Sequence, residues 1–198
     1  METLTDVTLD AQRIRAAGVL MSADRTRPAI CQVAVYVHDG HAVYAATDSY
    51  GLAIVHDSEL TDVRAAITGI PALTIPADQV KLLRSSTDTG KLEGDRVTFG
   101  PTTVTVNTLD GREYPRIASL LPAEGAYFLA PTAFSASRLA DMSAMDRAAQ
   151  ASLGARHRGN VPWRLRHCGT GVSVWTWCDL GGCDTLITFL LMPVRVPD

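Results

Sequence analysis

The order of predicted elements in this chain repeats three times: a short strand, a helix and a run of further strands. Pro76 and Pro131 each follow a short apolar strand and stand at the first position of a predicted helix, where a missing N–H group costs nothing. The three helices are predicted at residues 11–21, 76–85 and 131–150. This repeat indicates an α+β fold of antiparallel sheets with the helices packed on one side.

Local signals place the first and third helices. Asp10 is predicted to cap the first helix because its carboxylate can accept hydrogen bonds from the free N–H groups of the first turn. In the third helix, Phe134, Leu139 and Met142 form the predicted buried stripe.

Alternating apolar residues and turn signals predict the strands. Asp39-Gly40 between two apolar runs indicates a hairpin. The predicted strands are 7–9, 30–38, 42–47, 52–55, 73–75, 97–99, 103–106, 127–130, 162–167, 172–178 and 184–196.

The composition is globular and not basic. The chain has 198 residues, of which 46% are hydrophobic and 20% charged, with a net charge of −3, so DNA binding would need a local cluster of cations. No secretory signal opens the sequence, and its longest apolar run, residues 186–194, is too short to cross a bilayer. We therefore expect a cytoplasmic protein with no membrane partner.

Sequence motifs for catalysis and metal binding do not stand out. Ser49 is not surrounded by a nucleophile elbow, and Gly181-Gly182 is not followed by the Gly-Lys-Ser/Thr of a phosphate-binding loop. The four cysteines lack the tight paired spacing of a zinc ribbon. The sequence therefore predicts neither an enzyme nor a bound metal or cofactor.

Three segments far apart in the sequence form a further pattern. They are Ala46-Thr47-Asp48-Ser49-Tyr50-Gly51-Leu52, Tyr114-Pro115-Arg116-Ile117-Ala118-Ser119-Leu120-Leu121-Pro122 and Leu190-Leu191-Met192-Pro193-Val194-Arg195-Val196. In wording, order and relative placement they resemble the three segments that build the protein-binding pocket of the bacterial DNA polymerase III β subunit, the DNA sliding clamp. The resemblance covers nearly the whole chain.

This resemblance implies a shortened clamp. Residues 1–122 resemble a complete clamp domain of two repeat units, the middle of the three domains in the bacterial protein. Residues 123–198 resemble the last half of the final domain, a single unit that ends in the pocket strand. The implied fold is α+β and DNA-clamp-like, built from repeated strand-helix-strand-strand-strand units.

The resemblance also implies a pocket that captures the apolar anchors of a short linear motif. The implied pocket residues are Thr47, Tyr50, Gly51, Leu52, Pro115, Ser119, Leu120, Leu190, Met192, Pro193 and Val194. Two departures from the family, Gly51 in place of a basic residue and Ser119 in place of an arginine, remove charge from the rim. The alternative is that these are ordinary core residues of strands and an exit loop.

Cations on the helices and in one loop are candidates for loose contacts with DNA phosphates. These candidates are Arg13, Arg15, Lys81, Arg84, Arg138, Arg156 and Arg158. The alternative for each of them is an ordinary solvated surface position.

By resemblance, the chain is expected to tether a DNA polymerase or another replication or repair protein to double-stranded DNA without reading its sequence. A closed ring would be a homo-oligomer of roughly four copies of this chain, joined at sheet edges predicted at 30–38 or 172–178. One alternative is an adaptor or decoy, such as a phage or mobile element could encode, that binds clamp-motif peptides or a host clamp without encircling DNA. Another is a structural protein that has lost both activities.

Overall fold

The computed structural model describes most of the first 121 residues and four segments of the remainder. The described residues are 7–84, 86–108, 113–121, 136–150, 163–167, 173–177 and 185–191. The strands are β1 (Thr8–Asp10), β2 (Gln32–His38), β3 (His41–Thr47), β4 (Gly51–Asp57), β5 (Leu73–Pro76), β6 (Thr89–Glu93), β7 (Arg96–Phe99), β8 (Thr102–Thr105), β9 (Trp163–His167), β10 (Ser173–Trp177) and β11 (Thr185–Leu191). The helices are α1 (Ala11–Gly18), α2 (Val63–Ala66), α3 (Ala77–Leu82) and α4 (Ala136–Gln150), with 3₁₀ helices at Pro28–Ile30 and Ile117–Leu120.

Helix α1 begins where the sequence predicts it. Asp10 Oδ1 accepts hydrogen bonds from the N–H groups of Gln12 (2.7 Å) and Arg13 (3.0 Å), which pairs two donors that a helix start leaves free. The helix ends at Gly18, about one turn before the predicted end. A Cβ atom at Gly18 would lie 3.0 Å from Val80 Cγ1, so α1 and α3 pack closely there.

The larger sheet has seven strands in the order β5-β2-β3-β4-β11-β10-β9. Its strand pairs are antiparallel, and Asp39 and Gly40, both with positive φ, form the predicted turn between β2 and β3. The predicted sheet edges at 30–38 and 172–178 are wrong, because β2 pairs with β5 and β3 while β10 pairs with β11 and β9. The outer described strands of this sheet are β5 and β9.

The smaller sheet has four strands in the order β1-β6-β7-β8. Strand β1 opens the first predicted repeat but pairs with β6 of the second, whereas β5 opens the second repeat and pairs with β2 of the first. This exchange of opening strands ties the two repeats together. Strand β6 was absent from the predicted strands.

Strand β11 joins the end of the chain to its first third. It pairs with β4 from Thr185 opposite Asp57 to Leu191 opposite Gly51. The seven-stranded sheet therefore contains strands from both sides of residue 122, and the division into domains at 1–122 and 123–198 stays a prediction. Among the described helices, none has the length and apolar composition needed to span a membrane.

Helices α1, α3 and α4 share one hydrophobic core with one face of the larger sheet and with the smaller sheet. Among the α4 side chains that the structure describes, Met142 and Met145 are buried, whereas Leu139 is 41% exposed. The predicted stripe is therefore confirmed at Met142 and wrong at Leu139, because the packing of α4 on α1 and β11 selects the buried face. Phe134 lies outside the described residues.

The opposite face of the larger sheet carries a second core. Along β4, Leu52 and Ile54 face this core, while Ala53 and Val55 face the first. Helix α2 and the segment 113–121 cover the second core. The single turn of α2, which the sequence did not predict, thus lies on the other side of the sheet from α1, α3 and α4.

Candidate functional site

The first predicted pocket segment folds into a tight loop between β3 and β4. The Asp48 carboxylate accepts hydrogen bonds from the N–H groups of Tyr50 (2.9 Å) and Gly51 (2.8 Å). Thr47 Oγ1 donates to the Gly51 carbonyl (2.6 Å) and accepts from the Ser49 N–H (3.1 Å). These bonds fix the loop and leave the Tyr50 side chain 63% exposed.

Strand pairing brings the third segment against the first. Leu190 lies opposite Leu52, and Leu191 lies opposite Gly51. A Cβ atom at Gly51 would lie 3.1 Å from Leu20 Cδ1 and 3.5 Å from the Leu190 carbonyl oxygen. This close packing favours glycine at the position where the resemblance leads one to expect a basic residue.

The second segment is anchored by side chains of the second core. The buried Tyr114 hydroxyl donates to the Ala45 carbonyl (3.1 Å), and burial raises the pKa of this hydroxyl, which keeps it protonated. Arg64 of α2 donates to the carbonyls of Ala118 (3.3 Å) and Leu121 (2.5 Å). These bonds hold the 3₁₀ helix 117–120 beside the loop.

The three segments meet around a pocket of about 110 Å³. It is lined by Thr47, Ser49, Tyr50, Gly51, Leu52, Leu120 and Leu190. All of these except Ser49 were predicted pocket residues. Leu52 and Leu190 are buried and form an apolar floor, while Tyr50 and Leu120 are exposed and form an apolar rim.

The remaining predicted pocket residues lie elsewhere. Pro115 is exposed and is not among the residues that line this pocket. Ser119 lines a separate cavity of about 610 Å³. Met192, Pro193 and Val194 lie outside the described residues, and their place in the pocket stays a prediction.

Two residues at the pocket, Ser49 and Arg27, were not among the predicted site residues. Ser49 lines the pocket and has a φ of 82°, in the left-handed region that residues other than glycine rarely adopt. Arg27 Nη2 donates to Ser49 Oγ (2.5 Å), which brings a cation to the rim. No local signal identifies Arg27, because the contact arises only when the strands have packed.

Arg13 is one of the predicted DNA-contacting residues, and the structure does not favour that role. Its Nη1 lies 3.1 Å from Asp57 Oδ2, its Nε lies 3.8 Å from Asp10 Oδ2, and its side chain is 11% exposed. A guanidinium that is largely buried and ion-paired presents little charge to a phosphate. Sequence spacing placed Arg13 off the apolar face but gave no sign of Asp57 across from it.

Arg15 of α1 contacts the backbone at the end of α3, the helix that contains Lys81 and is followed by Arg84. Arg15 Nη1 donates to the Arg84 carbonyl (2.5 Å). Burial lowers the pKa of Arg15 from its ordinary value, against the opposing effect of Asp10. Lys81 and Arg84 are exposed. The other candidates are Arg138, whose backbone lies in α4, and Arg156 and Arg158, which lie outside the described residues.

One group of side chains in the described part of the chain has the composition of a metal site. Ligand atoms of His41, Asp57 and Glu59 lie within 4.8 Å of one another. Asp57 already accepts hydrogen bonds from Arg13 and from the Glu59 N–H (2.9 Å). Burial acts to raise the pKa of Asp57, but these bonds outweigh it and hold that pKa below its ordinary value. The Asp57 carboxylate of this group is thus already ion-paired with Arg13.

Comparison with known proteins identifies the fold. No protein-family model and no curated protein matches the chain. Among solved structures, the Bacillus subtilis DNA polymerase sliding clamp has a TM-score of 0.62 and 16% identity, covering 96% of this chain and 64% of the clamp. The Thermotoga maritima DNA polymerase III β subunit has a TM-score of 0.58 and 15% identity, and the match covers 97% of this chain and 65% of the β subunit. A Pseudomonas aeruginosa sliding clamp bound to griselimycin has a TM-score of 0.59 and 15% identity, and the match covers 98% of this chain and 67% of the clamp.

These matches run over almost the whole chain, which spans about two thirds of the length of the clamps it resembles. They agree with the antiparallel sheets and the helices packed against them. The chain therefore has the fold of the bacterial DNA sliding clamp, the β subunit of DNA polymerase III, over about two thirds of that protein's length.

Proposed function

We propose that this chain is a non-catalytic, clamp-type protein that holds a DNA polymerase or another replication or repair protein by binding a short peptide of that partner. The observation that carries the proposal is the convergence of three distant segments on one pocket with a buried apolar floor and an exposed apolar rim. Short peptides are bound in this way, through a few apolar anchors and exposed backbone groups. Such a partner would be met in the cytoplasm.

Griselimycin is a suitable probe for the pocket, because it is a peptide ligand present in a clamp structure of the same fold. We expect the wild-type protein to bind it in isothermal titration calorimetry. Leu120→Asp, which places a charge on the apolar rim, should weaken binding about tenfold or more. Leu120 is 44% exposed, so this change should leave the fold intact.

Leu82→Asp is the matched control, because Leu82 is another exposed leucine (53%) and lies on α3, away from the pocket. It should bind griselimycin as the wild type does. Equal affinity of the Leu120 and Leu82 variants, or no binding by the wild type, would contradict the pocket assignment.

We also propose that double-stranded DNA binds loosely, without sequence preference, on the helix side of the sheets through Lys81 and Arg84, with Arg15 beside them. Replacing Lys81 and Arg84 together by glutamine should reduce the slope of log affinity against log salt concentration by roughly 2. Lys91 and Arg96 are the matched control pair: both are exposed, and they lie on strands of the smaller sheet. Equal slopes for the two double variants would show that DNA does not bind on this face.

Ring closure is proposed through the sheet edges. Strands β8 and β9 each pair on one side only within the described residues, so β8 of one copy could pair with β9 of the next. Light scattering over a concentration series should then show a closed oligomer near four copies, retained on circular DNA but released once the DNA is cut.

The second candidate is an adaptor or decoy that binds peptides without encircling DNA. It is favoured by Arg13, whose charge is taken up by Asp57, and by the net charge of −3. A protein that binds griselimycin, stays monomeric at all concentrations and is not retained on circular DNA would establish this function in place of the clamp.

A further inference from the structure

A second, larger cavity is lined by the same 3₁₀ helix, Ile117–Leu120, as the pocket. It has a volume of about 610 Å³, and its walls include Ile67, Gly69, Ile70, Tyr114 and Arg116. Pockets that bind small ligands generally have volumes of about 300–1,000 Å³. The larger cavity falls within that range, whereas the 110 Å³ pocket has room for little more than one anchoring side chain.

The 3₁₀ helix 117–120 lines both cavities. Its consecutive residues Ser119 and Leu120 line different cavities, Ser119 the larger and Leu120 the smaller. The helix is held by the two hydrogen bonds from Arg64 and by the bond from Ser119 Oγ to the Arg116 carbonyl (2.8 Å). It therefore forms a fixed ridge between two openings.

Exposed apolar side chains concentrate on these cavities. Five large hydrophobic residues are exposed in the described part of the chain, and three of them, Tyr50 (63%), Ile70 (59%) and Leu120 (44%), line one cavity or the other. Solvent-exposed apolar residues gathered in one place mark surfaces that bind partners. Ile70 does not line the small pocket, so that pocket alone does not explain why Ile70 is exposed.

Arg116 gives this surface its charge. Its side chain is exposed on the wall of the larger cavity, and no carboxylate among the described residues lies within ion-pair distance of it. The chain as a whole is acidic, so a free guanidinium beside an apolar cavity selects a ligand with an acidic group next to an apolar one.

We propose that the two cavities form one groove, and that the bound peptide crosses the 117–120 ridge so that an Asp or Glu meets Arg116 while an adjacent apolar side chain covers Ile70. This inference rests on the proposed peptide-binding function and adds the chemistry of the peptide beyond its first anchors. The occupant is thus an acidic, apolar peptide longer than the small pocket alone accommodates.

The test is selection of a random 12-residue peptide library, displayed on phage, against the immobilised full-length protein. We expect the enriched peptides to combine an apolar anchor with a separate acidic-apolar pair. Fluorescence anisotropy with the best peptide should show about threefold weaker binding for Arg116→Ala. It should show about tenfold weaker binding for Ile70→Ser.

A double-mutant cycle identifies the contact with Arg116. Once the acidic residue of the peptide is replaced by its amide, Arg116→Ala should cause no further loss, whereas two independent contacts would give additive losses. Arg96→Ala and Leu82→Ser, at exposed positions away from the groove, are the matched controls and should bind the peptide normally.

The outcomes separate this inference from the function on which it rests. Selected peptides that lose affinity with Leu120→Asp but not with Arg116→Ala or Ile70→Ser would overturn the extended groove and keep the pocket. Failure to select any peptide sensitive to Leu120→Asp, together with failure to bind griselimycin, would overturn both.

Discussion

Ser49 gives the most direct test of the pocket loop at the scale of single residues. Its φ of 82° disfavours a Cβ atom, and a β-branched side chain most of all. Ser49→Val should lower the free energy of unfolding by about 1–2 kcal/mol relative to Ser49→Gly, measured by urea denaturation. Both variants lose the hydrogen bond from Arg27, so their difference isolates the backbone. Equal stabilities would mean that the loop does not hold this conformation in solution.

His56 makes stability depend on pH. It is 3% exposed, its Nδ1–H donates to the Asp57 carbonyl (2.7 Å), and burial lowers the pKa of its imidazole below the ordinary 6.5. Between that value and the lower pKa of the folded state, only the unfolded chain takes up the proton. The free energy of unfolding should therefore fall as the pH drops from 7 toward 5, by up to about 1.4 kcal/mol per pH unit.

His56→Gln is the variant that checks this origin. It cannot be protonated, so its free energy of unfolding should change less between pH 7 and pH 5 than that of the wild type, in parallel urea titrations. Identical changes in the two proteins would assign the pH dependence to other groups.

At the scale of elements, Gly90 controls how closely β6 approaches β7. A Cβ atom at Gly90 would clash with the Thr98 carbonyl oxygen and lie 2.9 Å from Val97 Cγ1. Gly90→Ala should therefore push the strands apart and cost about 1–3 kcal/mol. The midpoint of thermal unfolding reports this loss.

Gly94→Asn is the control for that experiment. Gly94 has a φ of 64° with open space around it, and asparagine tolerates this conformation. A drop in midpoint as large as that of Gly90→Ala would show that loss of glycine flexibility, and not the clash, is responsible.

The elements that the sequence predicted correctly are those with local causes. The Asp10 cap depends only on residues 10–13, the first turn of α1, and the Asp39-Gly40 hairpin depends on two residues with positive φ. Strand β6 was missed because its buried side consists of Gly90 and Leu92, and glycine contributes no apolar signal. Leu139 was placed in the core because periodicity alone does not say which of two neighbouring stripes a partner helix will cover.

Like the fold, the pocket was predictable only where short sequence segments determine it. The segments at 46–52 and 190–196 contain Thr47, Leu52 and Leu190, and the β4–β11 pairing brings these residues together. The division of Ser119 and Leu120 between two cavities depends on a single turn of 3₁₀ helix, which no sequence pattern specifies. The Arg13–Asp57 pair joins residues 44 positions apart in the sequence, so no local pattern predicts it either.

At the scale of the whole molecule, the β4–β11 pairing should make unfolding a single event. Phe189 is fully buried in the core shared by α1, α3, α4 and both sheets. Phe189→Ala should cost about 3–5 kcal/mol and move the whole transition, followed by circular dichroism and tryptophan fluorescence. Two separate transitions, only one of them shifted, would show instead that 1–122 and 123–198 unfold independently.

The exchange of β1 and β5 between repeats also determines when each strand can find its partner during synthesis. A nascent chain carries β1 out of the ribosome long before β6, its partner at residues 89–93, has been made. The edge of β4 then waits for its partner at residues 185–191, which are translated long after β4 itself. Until their partners have been translated, β1 and β4 have open backbone groups that neighbouring chains on the same messenger could pair with, so slow elongation or crowding of ribosomes should favour entanglement over correct folding.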